Sequence, residues 1–381
     1  MAQGARASAV VDEDPGAFLA SFADAVAAGG EVFLANPAWR SRERQELAAL
    51  MQASEPASEG WLMVPSGGSG GRLKFARHDL GTLEAAVRGF QRHFGMGRVS
   101  SIGVLPLHHV SGLVAWMRSV LTGGNYIPAA WKELEAGRLP ERIPNECCIS
   151  LVPTQLGRLM ASPASADWLR RFRVIFVGGG PAWAALTERA AELRLPLSPC
   201  YGATETAAMA TALRPEEFLR GVRGCGSALP HASVDFVQGV VRISGESLFR
   251  GYYPERSASR SWLTEDLGGF NGDASLVILG RRDSVIVTGG KKVSPQEVEA
   301  VLRRSGQFED VAVIGLPDPD WGEAVVACHP PGAPRMGEVE AALAELEPFQ
   351  RPKRYVAVSP WPRNDQGKID RADLARLAAQ A

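Results

Sequence analysis

The segment Pro65-Ser66-Gly67-Gly68-Ser69-Gly70-Gly71-Arg72-Leu73-Lys74 gathers four glycines, two hydroxyls and two cations into ten residues. Glycines leave backbone N–H groups unshielded, and with hydroxyl donors and positive charge beside them such a loop can wrap a polyphosphate. The spacing is neither a G-x-x-x-x-G-K-[ST] loop nor a G-x-G-x-x-G fingerprint. A flexible linker is the competing reading.

Three further segments set lone charges among turn residues. Tyr201-Gly202-Ala203-Thr204-Glu205-Thr206 holds one carboxylate among hydroxyls. That suits a hard cation such as Mg²⁺, which needs few protein ligands when phosphates supply the rest. A helix start capped by Thr204 or Thr206 fits the same residues. In Thr264-Glu265-Asp266-Leu267 and the following Gly280-Arg281-Arg282-Asp283, an Asp can accept both hydroxyls of a ribose while an Arg steadies sugar or phosphate. Charged surface turns are the plainer alternative. Pro362-Arg363-Asn364-Asp365-Gln366-Gly367-Lys368 carries a lysine on a glycine turn, a point charge suited to a phosphoryl or carboxylate oxygen. The last 31 residues hold seven basic side chains against three acidic ones, so a solvated basic tail is the rival reading.

The elements that must position these residues follow a pattern. Between residues 61 and 213 a short apolar run repeatedly leads through a Gly-, Pro- or Thr-containing turn into a helical segment. The runs fall at 102–105, 149–152 and 174–177. The second continues through Pro153 to a capping Thr154, the third through Gly178-Gly179-Gly180 to Pro181, suited to a first helical position. Strand, loop and helix in series predict a parallel sheet with right-handed crossovers. Ligands then collect at the carboxyl ends of its strands. Ahead of this, Phe18, Phe22 and Val26 pattern a helix. After Arg214, runs at 233–237 and 240–244 flank Gln238-Gly239 as a hairpin, and a strand at 276–279 runs into the arginine pair. A helix at 295–303, strands near 311–315 and 324–328, and a helix around 339–346 complete a small α+β unit. The expected class is α/β. A large N-terminal domain, residues 1–282, has parallel-sheet layers and a β-rich subdomain; residues 283–381 form a small C-terminal α+β domain.

Composition narrows the function classes. Apolar residues make up 45% and charged residues 22%, ordinary for a soluble globular chain. Forty-one basic residues against 42 acidic ones provide no global field to recruit nucleic acid or an anionic membrane. Cys147, Cys148, Cys200, Cys225 and Cys328 contain no C-x-x-C, which argues against a disulfide scaffold or zinc site and for a reducing compartment. Asp12, Glu13, Asp14, Pro15 and Asp24 interrupt the first stretch, so no secretory core is expected. No run approaches the roughly 18 apolar residues of a membrane span. The expectation is a cytoplasmic protein.

Taken in order, the charged segments resemble the adenylate-forming superfamily of acyl-CoA ligases and synthetases over about residues 61–374. Ser66 to Lys74 matches its Ser-Gly-x-Ser/Thr-Gly-x-x-Lys loop with one residue of offset. Tyr201 to Glu205 matches Tyr-Gly-x-Thr-Glu, and Glu265-Asp266-Leu267 matches Gly-Asp-Leu in part. Gly280-Arg281-Arg282-Asp283 matches the hinge, and Pro362 to Lys368 matches Pro-Arg-Asn-x-x-Gly-Lys. Three stretches are similar to the o-succinylbenzoate–CoA ligases of menaquinone and phylloquinone biosynthesis. They are Gly67-Gly68-Ser69-Gly70-Gly71-Arg72-Leu73-Lys74-Phe75-Ala76-Arg77-His78, Leu105-Pro106-Leu107-His108-His109-Val110-Ser111-Gly112-Leu113 and Ser150-Leu151-Val152-Pro153-Thr154-Gln155-Leu156.

The resemblance implies an AMP-forming enzyme that uses ATP, Mg²⁺ and CoA. It assigns Ser66, Ser69, Gly70 and Lys74 to the β- and γ-phosphates, Thr204 to the α-phosphate and Glu205 to Mg²⁺, with Gly67 and Gly202 also binding the nucleotide. Gly179, Gly180 and Tyr201 border the adenine, while Asp266 and Arg281 hold the ribose. Lys368 bridges the reacting carboxylate and the α-phosphate. Asp283 is the hinge about which a mobile small domain swings the Gly289-Gly290 loop towards CoA. His109, Ser111, Gln155 and Arg158 are the candidates for reading an acid substrate such as o-succinylbenzoate, His109 also for catalysis. Two rivals stay open: a CoA ligase for another aryl or short acyl acid, and an ATP-binding homologue without ligase activity. A homodimer is left open too. The family pattern is longer at the amino end, has Gly in place of Glu265, and lacks Pro65, Gly68 and Gly71; Glu265 adds negative charge near the nucleotide.

Overall fold

The computed structural model describes residues 7–52, 60–67, 72–364 and 368–380. Gly68, Ser69, Gly70, Gly71 and residues 365–367 lie outside the described residues.

The recurring strand–turn–helix pattern builds a seven-stranded sheet. Its order is Ser227–Ala228, Ala208–Ala212, Leu197–Ala203, Val174–Val177, Cys147–Leu151, Ser100–Gly103 and Tyr126–Pro128. The last five run parallel, and Ala208–Ala212 is antiparallel to both of its neighbours. Successive side chains leave opposite faces of a strand, and helices cover both faces. Ile175 therefore joins Ile102, Ile149 and Leu197 in one core, while its neighbour Phe176 packs with Phe90 and Phe94 in another.

Two helix starts differ from the pattern-based expectation. The helix Pro153–Met160 begins on the proline itself, not behind a capping Thr154, and Gln155 Oε1 accepts the Val152 N–H at 3.0 Å. The helix Ala184–Glu192 begins beyond Pro181, because the glycine loop runs on to Trp183 at the N-cap position.

A four-stranded sheet ahead of this, absent from the sequence-based reading, joins Ala7–Val10, Glu31–Leu34, Leu62–Ser66 and Lys74–His78. Its first two strands are four residues each. The second opens on Glu31, buried against Arg77 Nη1 at 2.9 Å, and a buried ion pair breaks the apolar pattern by which a strand is recognised. The helix Pro15–Ala28 starts at an Asp14 cap and buries Phe18 and Phe22; Val26 faces solvent. The last two strands are antiparallel, with Ser66 opposite Lys74.

The third sheet is antiparallel: Ala232–Val237, Val240–Gly245, Ser261–Phe270 and Leu276–Arg281. Gln238 and Gly239 take φ of 51° and 78°, the left-handed pair of a tight hairpin. Glu265-Asp266-Leu267 lies within a ten-residue strand rather than a turn. Its half-exposed face tolerates charge, and the register sets Asp266 opposite Arg281.

Residues after Ser284 form a five-stranded sheet with the helices Pro295–Arg304, Met336–Leu343 and Arg371–Ala378. Two apolar clusters, around Val298–Val313–Val325 and Ile314–Val326–Leu374, are made only of residues from this unit. The α/β class and the division into a large N-terminal and a small C-terminal part hold.

Candidate active site

At the carboxyl end of Leu197–Ala203 the chain turns through a short 3₁₀ segment, Thr204–Thr206. Thr206 braces that turn, its hydroxyl accepting from Ala203 N–H at 2.9 Å; the N-cap position itself belongs to Ala203, and neither Thr204 nor Thr206 occupies it. Glu205 is 4% exposed, and its Oε1 accepts from Ser66 Oγ at 2.6 Å and Tyr252 Oη at 2.7 Å. The Thr204 hydroxyl donates to Pro65 O at 3.4 Å. Lys74 holds its ammonium 5.3 Å from the Tyr252 ring centroid. The first segment's ends and the second segment thus meet in space. Gly67 follows Ser66 with open space where a side chain would stand; Ser69 and Gly70 lie outside the described residues.

A magnesium ion fits Glu205. Both of its hydrogen bonds fall on one oxygen, leaving a buried carboxylate oxygen as a hard ligand. Among the described residues no three His, Cys, Asp or Glu side chains gather into a metal cage, so phosphates would complete the coordination.

The turn rests on a residue that sequence inspection did not single out. His78 is fully buried, and its Nε2–H donates to the Thr204 carbonyl at 2.7 Å, with Nδ1 3.0 Å from Thr82 Oγ1. Burial pushes the imidazole down to about 4, against the opposing pull of the Thr204 bond. Tyr252 was missed as well. Burial and then the Glu205 charge raise its pKa, so it remains an O–H donor. No local pattern marks either, since each bonds to a partner many residues away in the chain.

The third segment joins the second through Tyr201, whose hydroxyl donates to Asp266 Oδ2 at 2.6 Å. Asp266 Oδ1 lies 3.5 Å from Arg281 Nη1, and Arg281 makes a bidentate pair with Asp283 at 2.8 and 2.6 Å. That hydrogen bonding holds the Asp283 carboxyl below its usual range. Glu265 is paired in bidentate fashion with Arg282 at 2.9 Å on each arm, so its charge is matched locally instead of being left towards Asp266. Gly202 is obligatory: a Cβ there would stand 1.7 Å from the Ala208 carbonyl oxygen of the adjacent strand.

The C-terminal lysine reaches the third glycine loop. Gly179 has φ +77°, and a Cβ there would lie 2.8 Å from Lys368 Cε and 3.1 Å from Nζ. Only glycine admits the lysine so close to the backbone. Gly180 follows, against Pro153. Asn364 Oδ1 accepts from Lys368 N–H at 3.0 Å.

The candidate acid-reading residues separate. His109 sits at the N-cap position of the helix Val110–Leu121, its ring 4.4 Å from His108, and Ser111 lies in that helix's first turn. Both follow the strand Ser100–Gly103 in the chain. Gln155 is 8% exposed and occupied in holding Val152 N–H. Arg158 is half-exposed and paired with Glu135 through Nη1. Gly289 and Gly290 turn between Ile286–Thr288 and Lys291–Val293 within the small sheet, where Gly289 N–H donates to Trp321 O at 2.8 Å.

A family model described as "AMP-binding enzyme" matches residues 6–253, and one described as "AMP-binding enzyme C-terminal domain" matches residues 297–368. A 2-succinylbenzoate–CoA ligase of Listeria monocytogenes is 31% identical over 290 residues, covering 71% of this chain and 60% of that protein. A protein of Mycobacterium tuberculosis named "Probable 2-succinylbenzoate--CoA ligase" is 30% identical over 365 residues, 87% of this chain and 88% of that one. The chain spans about 60% of the length of several of the curated relatives it matches. Among solved structures, a single-residue variant of E. coli MenE with bound OSB-AMS superposes with a TM-score of 0.82 at 24% identity, covering 98% of this chain and 88% of that one. The o-succinylbenzoate CoA synthetase of Bacillus subtilis with its acyl-adenylate OSB-AMP gives 0.79 at 22%, covering 97% and 87%. These two likenesses establish the fold.

Proposed function

We propose, from the premise that this chain belongs to the AMP-binding enzyme family, that it activates a carboxylic acid with ATP and passes the acyl group to CoA. A carboxylate is a poor acyl donor because its leaving group would be oxide. Attack of the carboxylate oxygen on the α-phosphorus forms a mixed anhydride with AMP and expels pyrophosphate. CoA thiolate then attacks the carbonyl carbon and expels AMP. Two anions must meet in the first step, so cations and aligned donors at the developing charge carry the catalysis.

In this reading Ser66, Gly67, Lys74 and the adjoining Ser69 and Gly70 hold the outer phosphates. Glu205 binds Mg²⁺, and Thr204 faces the α-phosphate. Asp266, oriented by Tyr201 and Arg281, takes the ribose hydroxyls, with Gly179, Gly180 and Gly202 bordering the adenine. Lys368 is the bridging cation. The observation that carries the reading is Lys368 lying against Gly179, while Ser66 and Glu205 are in direct contact elsewhere in the large domain.

The names of the relatives favour o-succinylbenzoate as the acid. His109, Ser111, Gln155 and Arg158 are the candidates for reading its second carboxylate, His109 and Ser111 foremost. The domain division falls at Asp283, which serves as the hinge, with Gly289 and Gly290 meeting CoA after rotation. No helix among the described residues is long and apolar enough to cross a membrane, and we place the enzyme in the cytoplasm.

The test is pyrophosphate release across a panel of carboxylic acids, with and without CoA. Release with o-succinylbenzoate, followed by thioester when CoA is added, is expected. Release with benzoates but not with o-succinylbenzoate would replace the substrate. Tight ATP·Mg²⁺ binding without AMP formation for any acid would sink the ligase reading.

A further inference from the structure

The loop between Val174–Val177 and Ala184–Glu192 is gripped twice by the small domain. At its start Lys368 lies beside Gly179. Four residues on, the Arg303 guanidinium lies over the Trp183 ring, 5.5 Å from its centroid. Arg303 belongs to the helix Pro295–Arg304 and is fixed within its own domain. Its Nη2 donates to Val311 O at 2.7 Å and lies 3.4 Å from Glu299 Oε2. Its side chain is 17% exposed and that of Glu299 is 1% exposed. The edge of the guanidinium is therefore used inside the small domain, and its face receives an indole from the large one.

The two grips are mechanically connected. Glu299 also accepts from Val313 N–H at 2.9 Å and pairs with Arg371, and Arg371 follows Lys368 by three residues. Going round, Lys368 leads to Arg371, Glu299, Arg303 and Trp183, and back through the loop to Gly179 and Lys368. Moving Trp183 off Arg303 shifts the same loop against which the lysine is aligned. The indole performs no capping duty, since Trp183 stands at an N-cap position without a side-chain cap bond.

We infer that Trp183 and Arg303 are positioning residues, a latch that sets Lys368 for acyl-adenylate formation and parts when the small domain turns for the CoA step. The inference rests on the functional reading above. It predicts an asymmetry between half-reactions that a merely structural role would not produce.

Trp183→Leu, Arg303→Met and the double variant test it. Each single change should slow pyrophosphate release about 2- to 30-fold, the rate equivalent of a cation–π contact. Thioester formation from preformed acyl-adenylate should stay unchanged, and the double variant should be no slower than the slower single one. Equal slowing of both half-reactions, or multiplied effects in the double variant, would overturn the latch. Should Arg303→Met fail to fold, the half-reaction split in Trp183→Leu decides alone. Should the parent enzyme release no pyrophosphate with any acid, the functional reading fails, and amide hydrogen exchange of the ligand-free protein judges the latch. Residues 178–183 and the helix Pro295–Arg304 should then exchange faster in Trp183→Leu than in the parent, and equal exchange would refute the contact's role.

Discussion

Tyr201 donates its phenolic hydrogen to Asp266 across 2.6 Å, joining two charged segments that lie 65 residues apart in the chain. Burial, then the Asp266 charge, raises the phenol's pKa well above its usual value, which keeps it a donor. A hydrogen bond to an ionised acceptor contributes about 1.5–3 kcal/mol. Tyr201→Phe should therefore raise the KM for ATP about tenfold or more, with kcat changed less, in steady-state assays with ATP varied. An unaltered KM would remove Asp266 from the ribose.

Glu205→Gln preserves the shape and the hydrogen bonds from Ser66 and Tyr252 but removes the charge. A hard cation loses most of its protein-derived attraction. The Mg²⁺ concentration giving half-maximal pyrophosphate release should rise at least about tenfold. An identical magnesium titration would show that the ion is held elsewhere.

Lys368→Ala removes the cation lying against Gly179. Acyl-adenylate formation should fall by roughly 10²-fold or more, as for loss of a transition-state donor. Thioester formation from preformed adenylate should persist. Comparable loss in both half-reactions contradicts the role.

Glu265→Gly restores the family's glycine, yet ATP affinity should hardly change. The Glu265 carboxylate is already matched by both arms of Arg282, and the pair is substantially exposed, where ion pairs contribute little. Calorimetry with a non-hydrolysable ATP analogue and Mg²⁺ checks this. A marked gain in affinity would mean that the carboxylate repels the nucleotide after all.

His78 makes stability depend on pH in a defined direction. Its folded pKa, about 4, lies below the ordinary 6.5, so the unfolded chain binds more protons between those values. This contribution is complete above pH 6.5 and is lost progressively as the pH falls to about 4, a change of roughly 3 kcal/mol for such a shift. Urea melts across that range should show the decline, and His78→Gln should make it shallower. Equal slopes for parent and variant would locate the titration elsewhere, His231 being similarly depressed by burial.

Apolar periodicity was enough to read the parallel strands at 149–152 and 174–177 and the hairpin about Gln238-Gly239, because each is set by neighbours a few residues away. It failed for Glu31–Leu34, where a buried charge is balanced by Arg77. It also failed for Ser261–Phe270, whose polar residues look like a turn until the antiparallel register sets Asp266 against Arg281. The pairing of Arg158 with Glu135 becomes visible only when the helices are placed.

The sequence by itself determined which chemistry was at hand: glycines where the backbone must be bare or left-handed, hydroxyls and lone charges at strand ends, and their order along the chain. These are properties of single residues and short spacings, so they survive without coordinates. Tertiary structure alone decided the partnerships, with Ser66 and Tyr252 on one oxygen of Glu205, Lys368 at Gly179, and Arg303 over Trp183. Such pairs depend on strand register and on how the small domain sits against the large one. Those follow from the summed packing of many residues, which no local pattern encodes.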